Sequence, residues 1–498
     1  MVNPYSWTKI VNLVVLEAPV GVGYSYCSSQ MKNGLCSNTD KLTASASRAA
    51  LVDFYTTKFP ELQDNDFFIT GESYAGVYIP TLAKELLDNA KGVVPLKGLA
   101  VGDPCTDTVA QSDSMDALWY GHKMGLVADQ LYDFLWNTCG ARDPNVQALG
   151  GKHILRNKMK STHTKSALHE SMHAARFPPH TPPHTHTHTH TPTHAHTHPP
   201  THTPTNTPTN TPTQTKPSPA CKMAYRKYLL ASSKGLSQEW SKQWINDFSL
   251  FGPAAQVEED NEMSQWMMRD DVRAALHVDE APAKRWPEAE QGFDYTMNYA
   301  ACNTDYAPGT LSMIDFYREI APRLEITVVY NGDTDPCVSY EGTRTAISRV
   351  GFAEMDGGGY RPWFYSHTAA TLEVIASKAA TYGPDLNTRA TGVQFGGEIV
   401  NYEHNLQFVT FHGSGHMVPS FRPQAALHFL QKVISLAPLS PMMPSNATLL
   451  GMTEKEFDHV LDKWTELAQS PLYVSGDAIQ DGNERAASPL FSLDDVIS

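Results

Sequence analysis

Phe67-Phe68-Ile69-Thr70-Gly71-Glu72-Ser73-Tyr74-Ala75-Gly76 is an apolar run that enters a Gly-x-Ser-x-small turn, and residues 76–90 continue with helical character. A serine on such a strand–turn–helix projects its hydroxyl from the end of a sheet. The crowded turn requires small neighbours, here Gly71 and Ala75. The N-terminus of the following helix sets backbone N–H groups, that of Tyr74 included, near developing negative charge. Ser73 is therefore the candidate nucleophile and Tyr74 the candidate oxyanion donor. Since a Gly-x-Ser-x-Ala before a helix also arises by chance, the reading depends on partners elsewhere in the chain.

Around this stretch, short apolar runs alternate with helical ones. Asn12–Glu17 (NLVVLE) reads as a buried strand. Thr43–Phe59 reads as a helix with Ala46, Ala49, Ala50 and Phe54 on its apolar side, and Lys97–Gly102 as another strand. The β-α-β-α rhythm predicts a mostly parallel sheet covered by helices on both faces. After Cys221 the pattern resumes. Trp266–Val278 has helical character, Ile326–Tyr330 and Phe408–Phe411 are strands, and Pro423–Ile434 and Glu454–Ala468 are helices.

A serine hydroxyl is a poor nucleophile without a base. In α/β-hydrolases the base and its acid follow the serine in the order Ser, Asp, His, each after a strand. The ITVVY strand runs into Asn331-Gly332-Asp333-Thr334-Asp335, and the FVTF strand into His412-Gly413-Ser414-Gly415-His416. By position, Asp333 and Asp335 both qualify as the acid, with the later weakly favoured. His412 competes with His416 as base, but it sits at the strand end, where packing or a local hydrogen bond suits it better.

Composition limits the alternatives. A net charge of −15 over 498 residues argues against a nucleic-acid partner, which needs clustered Lys and Arg. No apolar run reaches the length of a membrane span, and the first residues lack the pattern of a signal peptide. The seven cysteines (27, 36, 105, 139, 221, 302 and 337) include no C-x-x-C pair, so a zinc site is not expected; free thiols and long-range disulfides both remain open. Thirteen of the 21 histidines lie between His153 and His202. Residues 180–214 are almost wholly His, Thr and Pro, which form neither helix nor sheet and offer nothing to bury. Alternating His-Thr is what a CA dinucleotide repeat encodes in one frame. The tract therefore reads as repeat expansion or unspliced intron within a loop in preference to a metal-binding His run.

The sequence resembles the serine carboxypeptidase family. The resemblance rests on NPYSW (Asn3–Trp7), LEAPVGVGYSY (Leu16–Tyr26), GESYAG (Gly71–Gly76), DVRAALHV (Asp271–Val278), NGDTD (Asn331–Asp335) and GSGHMVPSFRP (Gly413–Pro423), all in family order. It implies an α/β-hydrolase fold with Ser73 as nucleophile, Asp335 as orienting acid and His416 as base. Glu72 matches the glutamate that helps bind a substrate's terminal carboxylate. Next to that carboxylate Glu72 helps only when a proton is shared, so the expected optimum is acidic. The implied substrates are peptide or protein C-termini, with no cofactor and no metal. The implied location is the secretory pathway, the vacuole or lysosome, or the extracellular space.

On this reading the hydrolase core comprises residues 1–130 and 241–436. A cap insertion spans 131–240 and carries the low-complexity tract 160–216, with Cys139 and Cys221 on its flanks as plausible disulfide partners. Residues 437–498 form a C-terminal extension with a mobile acidic tail. Family members carry a WLNGGPGCSS-like stretch before NPYSW, whose glycine supplies the second oxyanion N–H. No Gly-Gly-Pro-Gly occurs here. The expectation is thus a chain without that front segment, with an exposed sheet edge and one oxyanion donor fewer, a loss of about 10²–10³ in rate. The competing expectations are a non-catalytic remnant and a carboxypeptidase-like acyltransferase. The acyltransferases often carry Asp where Glu72 stands, so Glu72 favours peptides.

Overall fold

The computed structural model describes residues 5–32, 34–140, 218–231, 260–283, 286, 293–303, 305–367 and 392–470. The His-Thr-Pro tract, most of the expected cap and the acidic tail lie outside the described residues. A six-stranded sheet organises the remainder in the spatial order β2-β3-β5-β8-β7-β6. These strands are β2 (Phe67–Glu72), β3 (Leu96–Gly102), β5 (Ile326–Gly332), β6 (Arg361–His367), β7 (Gly392–Asn401) and β8 (Leu406–Phe411). Two short parallel strands, β1 (Cys36–Thr39) and β4 (Phe293–Thr296), pair apart from it. The four strands β2, β3, β5 and β8 are mutually parallel neighbours, so their carboxyl ends open on one side. β7 and β6 extend the sheet antiparallel.

Side chains alternate across the parallel strands and feed two cores. Leu99, Val101, Val329 and Phe408 face one layer, where they meet Val77, Leu82 and Leu86 of helix α2 (Ala75–Asn89), the helix after α1 (Asp40–Asp53), and Ile347 of a later helix. Ala100, Val328, Tyr330, Val409 and Phe411 face the other, against Trp363 of β6 and Phe429 of the helix Pro423–Ile434. A buried side chain of this size contributes about 1.5–3 kcal/mol. The near-continuous apolar runs of the central strands reflect this burial on both faces.

The predicted strands after residue 60, α2, Pro423–Ile434 and Glu454–Ala468 are found in place, with the strands one or two residues longer. Three expectations are corrected. Residues 12–17 form no strand, and Leu13 and Val15 are 53% and 75% exposed. An apolar run becomes a strand only when a neighbour pairs its N–H and C=O groups, and none does so here among the described residues. The helix predicted at 43–59 spans Asp40–Asp53 and closes in a π turn, Phe54–Lys58. Its buried side is Thr43, Ala44, Leu51 and Tyr55, while Ala49 and Ala50 face water. The buried side is thus displaced from the one that Ala49 and Ala50 suggest. The helical stretch 266–278 divides into Asp260–Met267 and Asp270–Ala275.

Six cysteines form disulfides: Cys27–Cys36, Cys105–Cys302 and Cys139–Cys221, the last joining the two flanks of the expected cap. Cys337 is free. Among the described residues no helix is long and apolar enough to cross a membrane.

Candidate active site

Four ionisable groups converge at the carboxyl ends of the parallel strands. Glu72 ends β2, Asp103 follows β3, Asp335 lies just after β5 and His416 just after β8. The turn after β2 is built as the sequence pattern requires. Ser73 adopts φ 64, a left-handed conformation that costs a non-glycine residue about 1–2 kcal/mol. The conformation persists because its surroundings fix it. The Ser73 N–H donates to the Gly102 carbonyl at 2.9 Å, and the Ser73 carbonyl accepts from Gly76 N at 2.9 Å and Cys105 N at 3.0 Å. A Cβ on Gly71 would lie 2.6 Å from the Ala75 Cβ, and one on Gly76 would lie 2.4 Å from the Cys105 carbonyl oxygen. Both positions therefore exclude any larger residue.

The Tyr74 N–H stands at the N-terminus of α2 and donates to no backbone carbonyl among the described residues. Its side chain is tied the other way. The Tyr74 and Tyr295 hydroxyls each donate to Asp40 Oδ1 at 2.8 Å, and Asn298 N donates to Asp40 Oδ2 at 2.5 Å. Burial raises the Asp40 pKa against these three donors. The elbow is thus tethered to the start of the preceding helix.

Both candidate acid–base pairs form, and burial separates them. His412 Nδ1 lies 2.8 Å from Asp333 Oδ2, with the imidazole 51% exposed. His416 Nδ1 lies 2.7 Å from Asp335 Oδ2, with side chains 5% and 0% exposed. The Asp335 carboxylate is fixed further by the Cys337 N–H, 2.7 Å from Oδ1. Its loop is locked to the histidine loop, since Thr334 donates through N and Oγ1 to the Ser414 carbonyl at 2.9 and 2.8 Å. A Cβ on Gly332 would meet the Ser414 and Gly415 carbonyls at 2.3 Å, so glycine is needed there for the two loops to touch.

Burial disfavours a charged His416, but the charge and hydrogen bond of Asp335 and the charge of Glu72 outweigh it and raise its pKa. Glu72 is pushed up to about 7, first by burial; the attraction of His416 works against this and the repulsion of Asp335 with it. The site therefore couples an imidazole to three carboxyls in a place where water screens little.

Sequence reasoning missed Asp103. The signal was present: β3 runs into Gly102-Asp103 as β5 runs into Gly332-Asp333, a strand followed directly by an acidic turn. Asp103, Asp335 and His416 are buried and each offers an atom within 4.8 Å of the others. His416 and Asp335 are paired with each other, and Asp103 Oδ1 accepts from Asn331 and Gly332.

The serine carboxypeptidase family profile matches residues 1–436. The chain belongs to the serine carboxypeptidase family. Serine carboxypeptidase-like 21 of Arabidopsis thaliana is 27% identical over 454 residues, covering 87% of this chain and 76% of the relative. Serine carboxypeptidase 1 of Hordeum vulgare is 25% identical over 451 residues, covering 86% and 74%. Among solved structures, Kex1(delta)p, a prohormone-processing carboxypeptidase from Saccharomyces cerevisiae, superposes with a TM-score of 0.53 at 18% identity, over 88% of this chain and 76% of that one. This last likeness supports the α/β-hydrolase fold alone. Membership makes the family's hydrolase chemistry the frame for the site.

Proposed function

We propose that this chain is a serine-type carboxypeptidase that releases C-terminal amino acids from peptides through an acyl-enzyme on Ser73. The observation that carries the reading is the sealed His416–Asp335 pair, together with a strained Ser73 turn whose neighbour Glu72 acts on His416 through its charge. His416 takes the Ser73 proton as the hydroxyl attacks the last peptide carbonyl. Asp335 holds Nδ1–H, fixes the tautomer and stabilises the imidazolium. The Tyr74 N–H, at a helix N-terminus, meets the developing oxyanion. The terminal amino acid leaves with the proton returned by His416, and water then releases the shortened peptide.

Glu72 supplies the preference for a free C-terminus. With a pKa of about 7 it carries a proton in mildly acidic solution and shares it with the substrate carboxylate. Above that range two anions face each other and binding weakens. A glutamate at this place favours peptide hydrolysis over acyl transfer to small metabolites. Three disulfides suit an oxidising compartment, in keeping with the secretory pathway, the vacuole or lysosome, or the extracellular space.

The test compares an N-blocked dipeptide with its C-terminal amide, following amino-acid release by mass spectrometry across pH. Release from the free acid should be strongest in mildly acidic buffer and absent in Ser73→Ala. Equal cleavage of the amide at every pH, or residual turnover in Ser73→Ala, would refute the assignment.

A further inference from the structure

Asp103 is fully buried, at 0% exposure, and takes no part in the mechanism above. Its backbone is held at φ 44, a conformation that Asp and Asn tolerate better than other side chains, with its N–H donating to the Tyr330 carbonyl at 2.7 Å. One carboxyl oxygen, Oδ1, accepts from Asn331 Nδ2 at 3.0 Å and from Gly332 N at 2.9 Å. The other, Oδ2, has no hydrogen-bond partner among the described residues. An anion with a bare oxygen at 0% exposure is the costliest way to place this side chain. A proton on Oδ2 removes the charge and turns the bare acceptor into a donor.

The groups facing Asp103 come from three strands. Glu72 ends β2, Tyr330 lies in β5 with Asp335 after it, and His416 follows β8. Two of these are carboxyls, one of them the acid already paired with His416, so a third charge would be repelled from both sides. Burial, the charges of Asp335 and Glu72, and contact with Asp335 all raise the Asp103 pKa well above the ordinary carboxyl value, outweighing the Gly332 N–H.

We propose that Asp103 is a positioning residue that stays protonated and directs its O–H at the Asp335 carboxylate, holding that carboxylate against His416 without adding charge to the site. It touches no reacting atom. The N–H groups of Asn331 and Gly332 fix its Oδ1, and through it the turn that carries Asp335 is registered against β3. The inference deepens the carboxypeptidase reading and rests on it only for its kinetic consequence.

Two measurements test it. The first is the pH profile of Ser73 modification by a fluorophosphonate, which reads the His416 base without needing a substrate. Asp103→Asn matches a neutral acid in shape, acceptor and donor. Its acid limb should lie with the wild type, and its rate within about threefold. Asp103→Gly tolerates φ 44 but deletes the donor, and should lose roughly 10- to 100-fold, the worth of a hydrogen bond to a charged group. If Asp103 were an anion, Asp103→Asn would remove a charge beside His416 and move the acid limb down by about 1–3 pH units; that shift would overturn the proposal. The second is the infrared difference between Glu72→Gln and Glu72→Gln/Asp103→Asn near neutral pH. A protonated-carboxyl C=O band present only in the first supports the proposal, and its absence from both overturns it. This arm needs no reactivity. Failure of every variant to react would sink the carboxypeptidase reading, while the band alone would still decide Asp103.

Discussion

Replacing Glu72 by Gln keeps the size of the side chain and removes one proton-binding group. Glu72 ionises at about 7 in the native protein, against 4.5 for an ordinary glutamate. The folded state therefore binds this proton more tightly than the unfolded chain does. Its contribution to stability is full below about pH 4.5 and is lost as pH rises through about 7. At 1.36 kcal/mol for each tenfold change in proton affinity, the amount at stake is about 3 kcal/mol. The side chain is mostly buried, so solvent screening removes little of it. His416 moderates the loss: its cation and the Glu72 anion attract, and Glu72→Gln lowers the His416 pKa as well. The measurement is urea unfolding of both proteins from about pH 4 to about pH 8, read as the difference in unfolding free energy. Relative to Glu72→Gln, the wild type should lose about 2–3 kcal/mol across that range, steadily between about pH 4.5 and pH 7 and levelling off above. Parallel curves would mean that Glu72 titrates as an ordinary surface acid, and the account of a proton shared with the substrate carboxylate would fall with it.

Ser73→Gly should stabilise the fold by about 1 kcal/mol, seen as a higher Tm, because glycine accepts φ 64 without the strain the serine bears; the same variant should give no acyl-enzyme in a burst assay. Gly76→Ala sets a Cβ against Cys105 backbone at 2.4 and 2.6 Å, atoms that cannot swing aside, and should cost about 1–3 kcal/mol in denaturant titration. His412→Ala removes an exposed pair and should cost under about 1 kcal/mol with fluorophosphonate labelling unchanged, whereas His416→Ala should abolish labelling.

The elbow was legible because its constraints are local: the strand, Gly71, Ser73 and Ala75 sit within one short stretch, and each small residue answers a contact inside it. The acid–base pair was only half legible. Asp333 with His412 and Asp335 with His416 have almost the same spacing, and both form; what divides them is the burial that the whole sheet imposes. β6 and β7 were missed for a related reason. Gly392–Asn401 carries three glycines, which weaken any strand pattern. Yet a Cβ on Gly396 would enter the Trp363 ring at 2.3 Å, and one on Gly397 would strike the Thr410 carbonyl at 1.9 Å. The residue types of β7 are set by a tryptophan on one neighbouring strand and a carbonyl on the other, which no periodicity of the strand itself reveals. Asn12–Glu17 fails in the opposite sense, with a strong apolar signal and no partner strand to receive it.

The four parallel strands explain why this site must manage protons as well as geometry. Parallel neighbours put their carboxyl ends side by side, and here each end delivers one ionisable group: Glu72, Asp103, Asp335 and His416. Three carboxylates and one imidazolium would leave an excess of negative charge where little water reaches, and like charges at such range cannot all ionise. The least costly arrangement keeps Asp335 ionised, because it alone has His416 at 2.7 Å and the Cys337 N–H at 2.7 Å. Asp103 and Glu72 then hold protons. Of the two, Glu72 sits at the more open end of the row, since Asp103 is fully buried, and Glu72 is the one whose pKa falls near 7. It is therefore the group through which the pH of the surroundings enters the site. As pH rises past 7, the first new charge appears on Glu72, next in the chain to Ser73 and, in the proposed function, facing the incoming peptide terminus. On this account the alkaline loss of peptidase activity appears mainly as a rise in KM for free-carboxylate substrates, with acylation of Ser73 by an uncharged reagent continuing in the same pH range.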